Sequence, residues 1–303
     1  MTTTETLTIH QFKDLVAAPS LLLGFHPQDS CVVMAARTDG SGRREVLFCA
    51  RVDLDWYLTC FDQVVEQLLA VEAQVGFCEW ILVGYAASED DAVLCMEELQ
   101  EVLGRETVLE CLVCDGKKYW PLGMAGQALD YCFESSALAA QAVYKGISIA
   151  RTRHATVAQV ESGVVCPKRW EEAVSFAEEL PLDAKLAELQ RLIGEPRPGE
   201  SAATRIAALL RDEDCFAAVL VELSTSNAEQ HFDPLARARR ACPEDAVANV
   251  LALLALTCWL AGRAAQHTSC LEQLARLAPE HPLLGVLLRM HRHAIPPKRW
   301  DET

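Results

Sequence analysis

Residues 79–116 read EWILVGYAASEDDAVLCMEELQEVLGRETVLECLVCDG and spell out a strand, a helix and a second strand. The run at 79–86 (EWILVGYA) is almost continuously apolar and of strand length. That pattern predicts a strand covered on both faces, because a half-exposed strand would alternate. Ser88 stands where a helix N-cap belongs, and Glu89, Asp90 and Asp91 follow in the first turn, where the macrodipole favours carboxylates. The helix runs to about Leu103 and stops at Gly104. Residues 107–114 (TVLECLVC) form the next strand, with Asp115-Gly116-Lys117 as its turn. Such a unit predicts parallel strands joined by a right-handed crossover.

On the N-terminal side, residues 45–53 alternate: Val46, Phe48, Ala50 and Val52 face one way, and Leu47, Cys49, Arg51 and Asp53 the other. Asp55 is placed to cap a helix over 56–74, whose apolar positions Leu58, Phe61, Val65, Leu68 and Leu69 fall at helical spacing. Residues 31–37 (CVVMAAR) read as a buried strand, joined to 45–53 through a Gly-rich hairpin loop at 38–43 and paired with it at one side of the sheet. Before it come a turn-rich loop, GFHPQDS (24–30), and a short helix within 9–23 ending near Pro19. The order β-β-α-β-α-β over 31–114 predicts an α/β fold with a small, Rossmann-like, mostly parallel sheet.

On the C-terminal side the character changes. Residues 135–146, 153–161 and 167–193 read as helices, EPRPGES (195–201) as a linker, and 202–292 as helical throughout. Leu251, Leu254, Ala255, Cys258 and Trp259 form one apolar stripe. After Gly262, a second is made by Leu271, Leu274, Ala275 and Leu277 before Pro279. This pattern predicts a tetratricopeptide-like helix pair in an all-α bundle. The expected organisation is a sheet domain over 1–130, a helical connector over 131–194 and a helical domain over 202–303.

A chain of 303 residues has room for two domains of ordinary size. Its 43 Asp and Glu outnumber 27 Lys and Arg, giving −16. That charge argues against a broad nucleic-acid or anionic-membrane surface, which needs cations to displace counterions. Most of the 13 cysteines sit in apolar runs, such as Cys49, Cys95 and Cys258, which predicts free thiols in a reducing cytoplasm rather than a disulfide scaffold. MTTTETLTIHQF has neither the basic start nor the apolar run of a signal peptide. The apolar stretch at 246–261 falls short of the roughly 20 residues of a membrane span.

Phosphate-loop, dinucleotide, zincin and nucleophile-elbow motifs are missing. In open parallel sheets ligands collect beyond the carboxyl ends of the strands. Those ends carry Arg51, Asp53 and Asp55, then Tyr85 and Ser88, then Asp115 with Lys117 and Lys118. Asp53 and Asp115 are the candidate catalytic carboxylates there, able with Asp55 to hold Mg²⁺ against a phosphate. Each of these groups is equally explained as a strand end, a cap or a turn. Asp53-Leu54-Asp55 also has the D-x-D form of haloacid-dehalogenase phosphotransferases, but Trp56-Tyr57 departs from that motif. The loop 24–30 offers His26 as a base or ligand beside Asp29 and Ser30, against the alternative of a rigid turn around Pro27. Cys111 and Cys114 form a C-x-x-C, but on a strand they face opposite sides. His267 and Cys270 share a helix face, with His281, His291 and His293 downstream; the choice is a zinc site or ordinary surface histidines. Tyr119-Trp120 either stack on a base or pack on the sheet edge. Arg237, Arg239 and Arg240 form either a solvated face or a patch for an acidic partner.

Several segments carry a resemblance: LLLGFHPQDSCVVMA (21–35), ARVDLD (50–55), WILVGYA (80–86), LVCDGKKYW (112–120), the helix from Ser135 to Gly146, and the closing helices from Asn249 to Leu288. In order and spacing the chain resembles the large actinobacterial domain-of-unknown-function family 4192. The resemblance implies a fold and a bacterial cytosolic setting, and no reaction or cofactor. Members carry Cys pairs after the segment matching 115–120; here residues 121–136 hold only Cys132, which departs from any metal role in relatives. The leading expectation is a cytosolic interaction or scaffold protein that binds a protein partner through its helical half and forms a homodimer through a sheet edge. The alternative is an enzyme or sensor binding a phosphorylated or nucleotide-like molecule at the carboxyl edge of the sheet, with Asp53, Asp115, Tyr85, Ser88, Arg51 and Asp29 around it.

Overall fold

The computed structural model describes residues 12–38, 44–76, 78–195 and 198–302. Residues 9–11 of the expected first helix, 39–43 of the expected hairpin loop and 196–197 of the expected linker lie outside them. The described chain divides into two compact units, 12–153 with 292–294 and 154–291 with 295–302. The division falls inside the segment 131–194 that the sequence reads as a connector.

The first unit is built on one six-stranded mixed sheet. Its strands are β1 (Ser30–Thr38), β2 (Arg44–Asp53), β3 (Glu79–Tyr85), β4 (Val108–Cys114), β5 (Lys118–Pro121) and β6 (Leu129–Asp130), in the order β2-β1-β3-β4-β5-β6. The Rossmann-like, mostly parallel sheet is corrected here. Only β3 and β4 pair in parallel; β1 is antiparallel to both β2 and β3, and β5 and β6 add two further antiparallel pairings. The three helix-linked strands β2, β3 and β4 do share one direction, but β1 stands between the first two. The reason is burial. Strand β1 is covered on both faces along Ser30–Ala36, whereas β2 is only half-buried, so the apolar strand takes the inner position. Leu47 is left unpaired between Phe48↔Ala35 and Val46↔Ala36, a bulge that kinks the edge strand and hinders sheet-to-sheet pairing there.

Helices α1 (Phe12–Leu23), α2 (Trp56–Thr59), α3 (Phe61–Val75), α4 (Glu89–Leu103) and α5 (Ala137–Tyr144) complete this unit. One sheet face packs Cys31, Val33, Trp80 and Leu82 against Trp56, Leu68, Met96 and Leu99 of α2, α3 and α4. The other packs Val32, Met34, Ile81 and Val83 against Leu15 and Val16 of α1 and Leu138 of α5. Pro19 lies inside α1, which continues through Leu21-Leu22-Leu23 instead of ending there. The proline removes one backbone donor, and burial of the 14–20 segment outweighs that loss. The helix expected over 56–74 breaks at Cys60, whose backbone (φ −151°, ψ 36°) is not helical. Asp55 precedes α2 but makes no side-chain cap bond.

Gly84 of β3 lets α4 approach the sheet. A Cβ there would lie 2.9 Å from Met96 Sδ and 3.0 Å from Ala92 Cβ. The methionine can turn away but the alanine cannot. Gly84→Ala is expected to cost about 1–3 kcal/mol, the range for overpacking. An unchanged urea midpoint would show that the layers have slack.

The second unit is all helical: α6 (Arg153–Val157), α7 (Pro167–Glu179), α8 (Leu182–Ile193), α9 (Glu200–Leu209), α10 (Glu213–Glu222), α11 (Ala228–Ala241), α12 (Ala248–Leu260), α13 (Ala264–Leu277) and α14 (Pro282–Arg292). The single helix expected over 167–193 is two, because Pro181 forces Leu180 into extended backbone (φ −84°, ψ 136°). Helices α12 and α13 form a hairpin turned at Gly262, with φ +70°. The tetratricopeptide-like pair reduces to that one hairpin. Helix α12 has buried residues on every side, Val250 through Cys258, so it is the axis of a bundle rather than one amphipathic layer of a repeat. Among the described residues no helix is long and apolar enough to cross a membrane.

Candidate functional site

The carboxyl ends of β2, β3 and β4 do lie at one edge, as the shared strand direction requires. Asp53, Ser30, Tyr85 and Cys114 form one row across the sheet there, and the loop before β1 arrives at the same edge. The polar groups are turned to their own neighbours. Arg51 Nη2 holds Asp53 Oδ1 at 2.7 Å. Asp115 Oδ1 accepts from the backbone N–H of Lys117 at 2.7 Å and of Lys118 at 2.6 Å, closing the hairpin turn. Ser88 donates from its hydroxyl to Asp91 Oδ2 at 2.8 Å and from its backbone at 3.2 Å, which starts α4. The Tyr85 hydroxyl is buried and donates to the carbonyl of Val16 at 2.6 Å; burial pushes its pKa well up. The Ser30 hydroxyl is fully buried without a partner among the described residues.

His26 belongs to a different cluster of the same unit. Its Nδ1 lies 3.0 Å from Ser20 Oγ, and its ring meets Phe133 edge-on at 4.8 Å. Burial lowers its pKa, and the Glu134 carboxylate opposes that shift. The loop is pinned to the chain near residue 150 by His26 N–H to Ala150 O (3.1 Å) and Ala150 N–H to Gly24 O (2.9 Å). Asp29 is exposed with φ +44°, a left-handed conformation that aspartate tolerates better than most residues.

The remaining candidates resolve as packing. Trp120 donates from Nε1 to Glu89 Oε2 at 2.6 Å, and Tyr119 meets Tyr131 at 6.4 Å, so the two side chains of β5 pack into the cores on opposite faces of the sheet. Cys111 and Cys114 fall on opposite faces of the sheet, and desolvation pushes each thiol up to about 11. All thirteen cysteines are free thiols. His267 is not a surface histidine: it is 3 % exposed, with Nδ1 2.9 Å from Ala255 O and its ring 5.5 Å from that of His291. Cys270 is buried against Cys258. Among the described residues no three His, Cys, Asp or Glu side chains stand together in a way that could hold a metal ion. The arginine run does not make a patch. Arg239 is buried and gives Nε (3.0 Å) and Nη2 (2.7 Å) to Gln273 Oε1, Arg240 donates to Ala158 O, and Arg237 is exposed.

One concave feature lies in the helical unit. Helices α8, α10 and α11 enclose a groove of about 590 Å³, inside the range of roughly 300–1,000 Å³ usual for binding pockets. Its apolar floor is Leu186, Leu189 and Ile193 from α8, Val219 from α10 and Phe232 from α11. Its rim carries Glu222, Glu229, Asp233 and Arg263. Arg263 forks onto the Glu229 carboxylate and lies 3.9 Å over the Phe232 ring, a cation–π contact that fixes one wall. Sequence reasoning missed this groove. The apolar spacing of α8 reads as core packing, and only the placement of α10 and α11 leaves part of that face uncovered.

No curated protein and no solved structure matches the chain. A family model does, over residues 13–298, nearly the whole chain and both units. The chain therefore belongs to the family described as a domain of unknown function (DUF4192).

Proposed function

We propose that the chain is a protein-interaction or scaffold module whose helical unit docks a partner protein. The observation that carries this reading is the groove between α8, α10 and α11, with an apolar floor and a charged rim. Apolar grooves between helices accept the apolar face of a partner segment, and that recognition needs no reacting group. The polar residues at the sheet edge support ligand chemistry less well, since Asp53, Asp115, Ser88 and Tyr85 are each held by neighbouring groups of the fold. The thirteen free thiols support placing the module in a reducing compartment.

The test is site-specific photo-cross-linking in cells. A photoreactive side chain at Ala218, exposed at the groove, is expected to give one discrete adduct that mass spectrometry maps to a partner peptide. The same group at Leu94, exposed on α4 of the sheet unit, is expected to give none. Equal yields from both positions, or no adduct from Ala218, would remove the helical unit as the docking surface.

A further inference from the structure

We infer that the groove selects an amphipathic helical segment of a partner protein whose apolar face is flanked by Lys or Arg. This rests on the interaction-module reading and adds the chemistry of the partner. The argument is charge. Three carboxylates, Glu222, Glu229 and Asp233, line the groove against one guanidinium, Arg263. That guanidinium is already engaged with Glu229 and the Phe232 ring. Glu222 and Asp233 make no ion pair among the described residues, so two negative charges face the opening without a cation.

The backbone adds to the same sign. Helix α8 ends at Ile193 and α10 at Glu222, and both ends line the groove. Helix C-termini carry partial negative charge and favour cations. Pro234 inside α11 has no N–H to offer the carbonyl of Gln230 four residues earlier, and Gln230 also lines the groove. That carbonyl lacks its ordinary helical partner and is suited to accept from an ammonium or guanidinium. The positive N-terminal turn of α11 is matched by its own Glu229. A second copy of this chain is disfavoured as occupant, because each copy brings −16 and like charges across an interface are repelled. The apolar floor in turn calls for anchors at helical spacing, i, i+3, i+4 and i+7.

The test uses the full chain and three labelled helical peptides with one leucine face and a polar face of Lys, Gln or Glu, followed by fluorescence anisotropy. The Lys peptide is expected to bind about tenfold or more tighter than the Gln peptide, and the Glu peptide weakest, with the Lys preference shrinking at high salt. Glu222→Gln with Asp233→Asn is expected to weaken the Lys peptide about three- to tenfold, as two exposed charges allow, and to leave the Gln peptide unchanged. Ala218→Trp fills the groove without changing the charge of the chain and is expected to abolish binding of both. Circular dichroism checks that each variant is folded. Equal binding of Lys and Gln peptides would overturn the selection for cations and leave the interaction module standing. Binding that survives Ala218→Trp would show diffuse attraction to an acidic protein and overturn the inference. Failure of all three peptides would overturn both it and the groove reading.

Discussion

Trp56→Ala is expected to destabilise the sheet unit by about 3–5 kcal/mol, the usual cost of emptying a buried aromatic site. Trp56 follows the Asp53-Leu54-Asp55 segment and is fully buried. It is stacked on Phe61, with ring centroids 5.5 Å apart and planes 8° from parallel, and its Nε1 donates to Cys95 O at 3.4 Å. One side chain thus ties the end of β2 to both α3 and α4. Its removal leaves a cavity between layers that the sheet holds apart. Trp56→Phe keeps most of the apolar volume and loses the indole N–H, so it is expected to cost about 1–2 kcal/mol. Urea unfolding of both variants decides the matter. A loss below about 1 kcal/mol for Trp56→Ala would mean that α2 is peripheral, and the D-x-D segment would then be free for another role.

Lowering the pH from 7 to 5 is expected to remove about 2 kcal/mol of stability from the helical unit through His267 alone. Burial drives the pKa of this imidazole down to about 4; the Ala255 carbonyl opposes the shift and His291 adds to it. In the unfolded chain the same group titrates near 6.5. Between those values the unfolded chain takes up a proton and the folded chain does not, so acid favours unfolding. The stability is fully present above about pH 6.5, falls by about 1.4 kcal/mol per pH unit down to about pH 4, and is gone below it. His291 and His281 are depressed by burial as well and push in the same direction. His267→Gln keeps a donor near the Ala255 carbonyl and removes the titration. Its stability is expected to fall between pH 7 and pH 5 by about 2 kcal/mol less than that of the parent chain. Identical losses in the two proteins, or an imidazole resonance that titrates near 6.5, would show His267 to be solvated.

Much of the local structure was legible in the residues. The unit β3-α4-β4 stands where EWILVGYA, Ser88, Gly104 and TVLECLVC place it, because strand runs, caps and glycine stops act over a few residues. The opposite facing of Cys111 and Cys114 follows from the two-residue period of a strand. The shift from a sheet to a helical bundle was legible for the same reason.

What sequence alone could not settle were outcomes of competition between segments far apart in the chain. Strand neighbours were one. The alternation of EVLFCARVD and the unbroken run CVVMAA both mark strands, but that β1 inserts between β2 and β3 depends on which strand gains more by being covered on both faces. The fate of polar groups was another. Nothing in DGKK shows that Asp115 closes its own turn, or in HTSC that His267 is sealed against Ala255 and His291, because the deciding partners arrive through packing. The groove belongs to the same class. Its floor has the apolar spacing of any core helix, and it is open only because the bundle leaves that stretch of α8, α10 and α11 without a fourth helix across it. Local backbone chemistry thus wrote the elements into the sequence, whereas the burial of one element by another assigned strand neighbours, solvent exposure and the groove, and that assignment exists only in the folded chain.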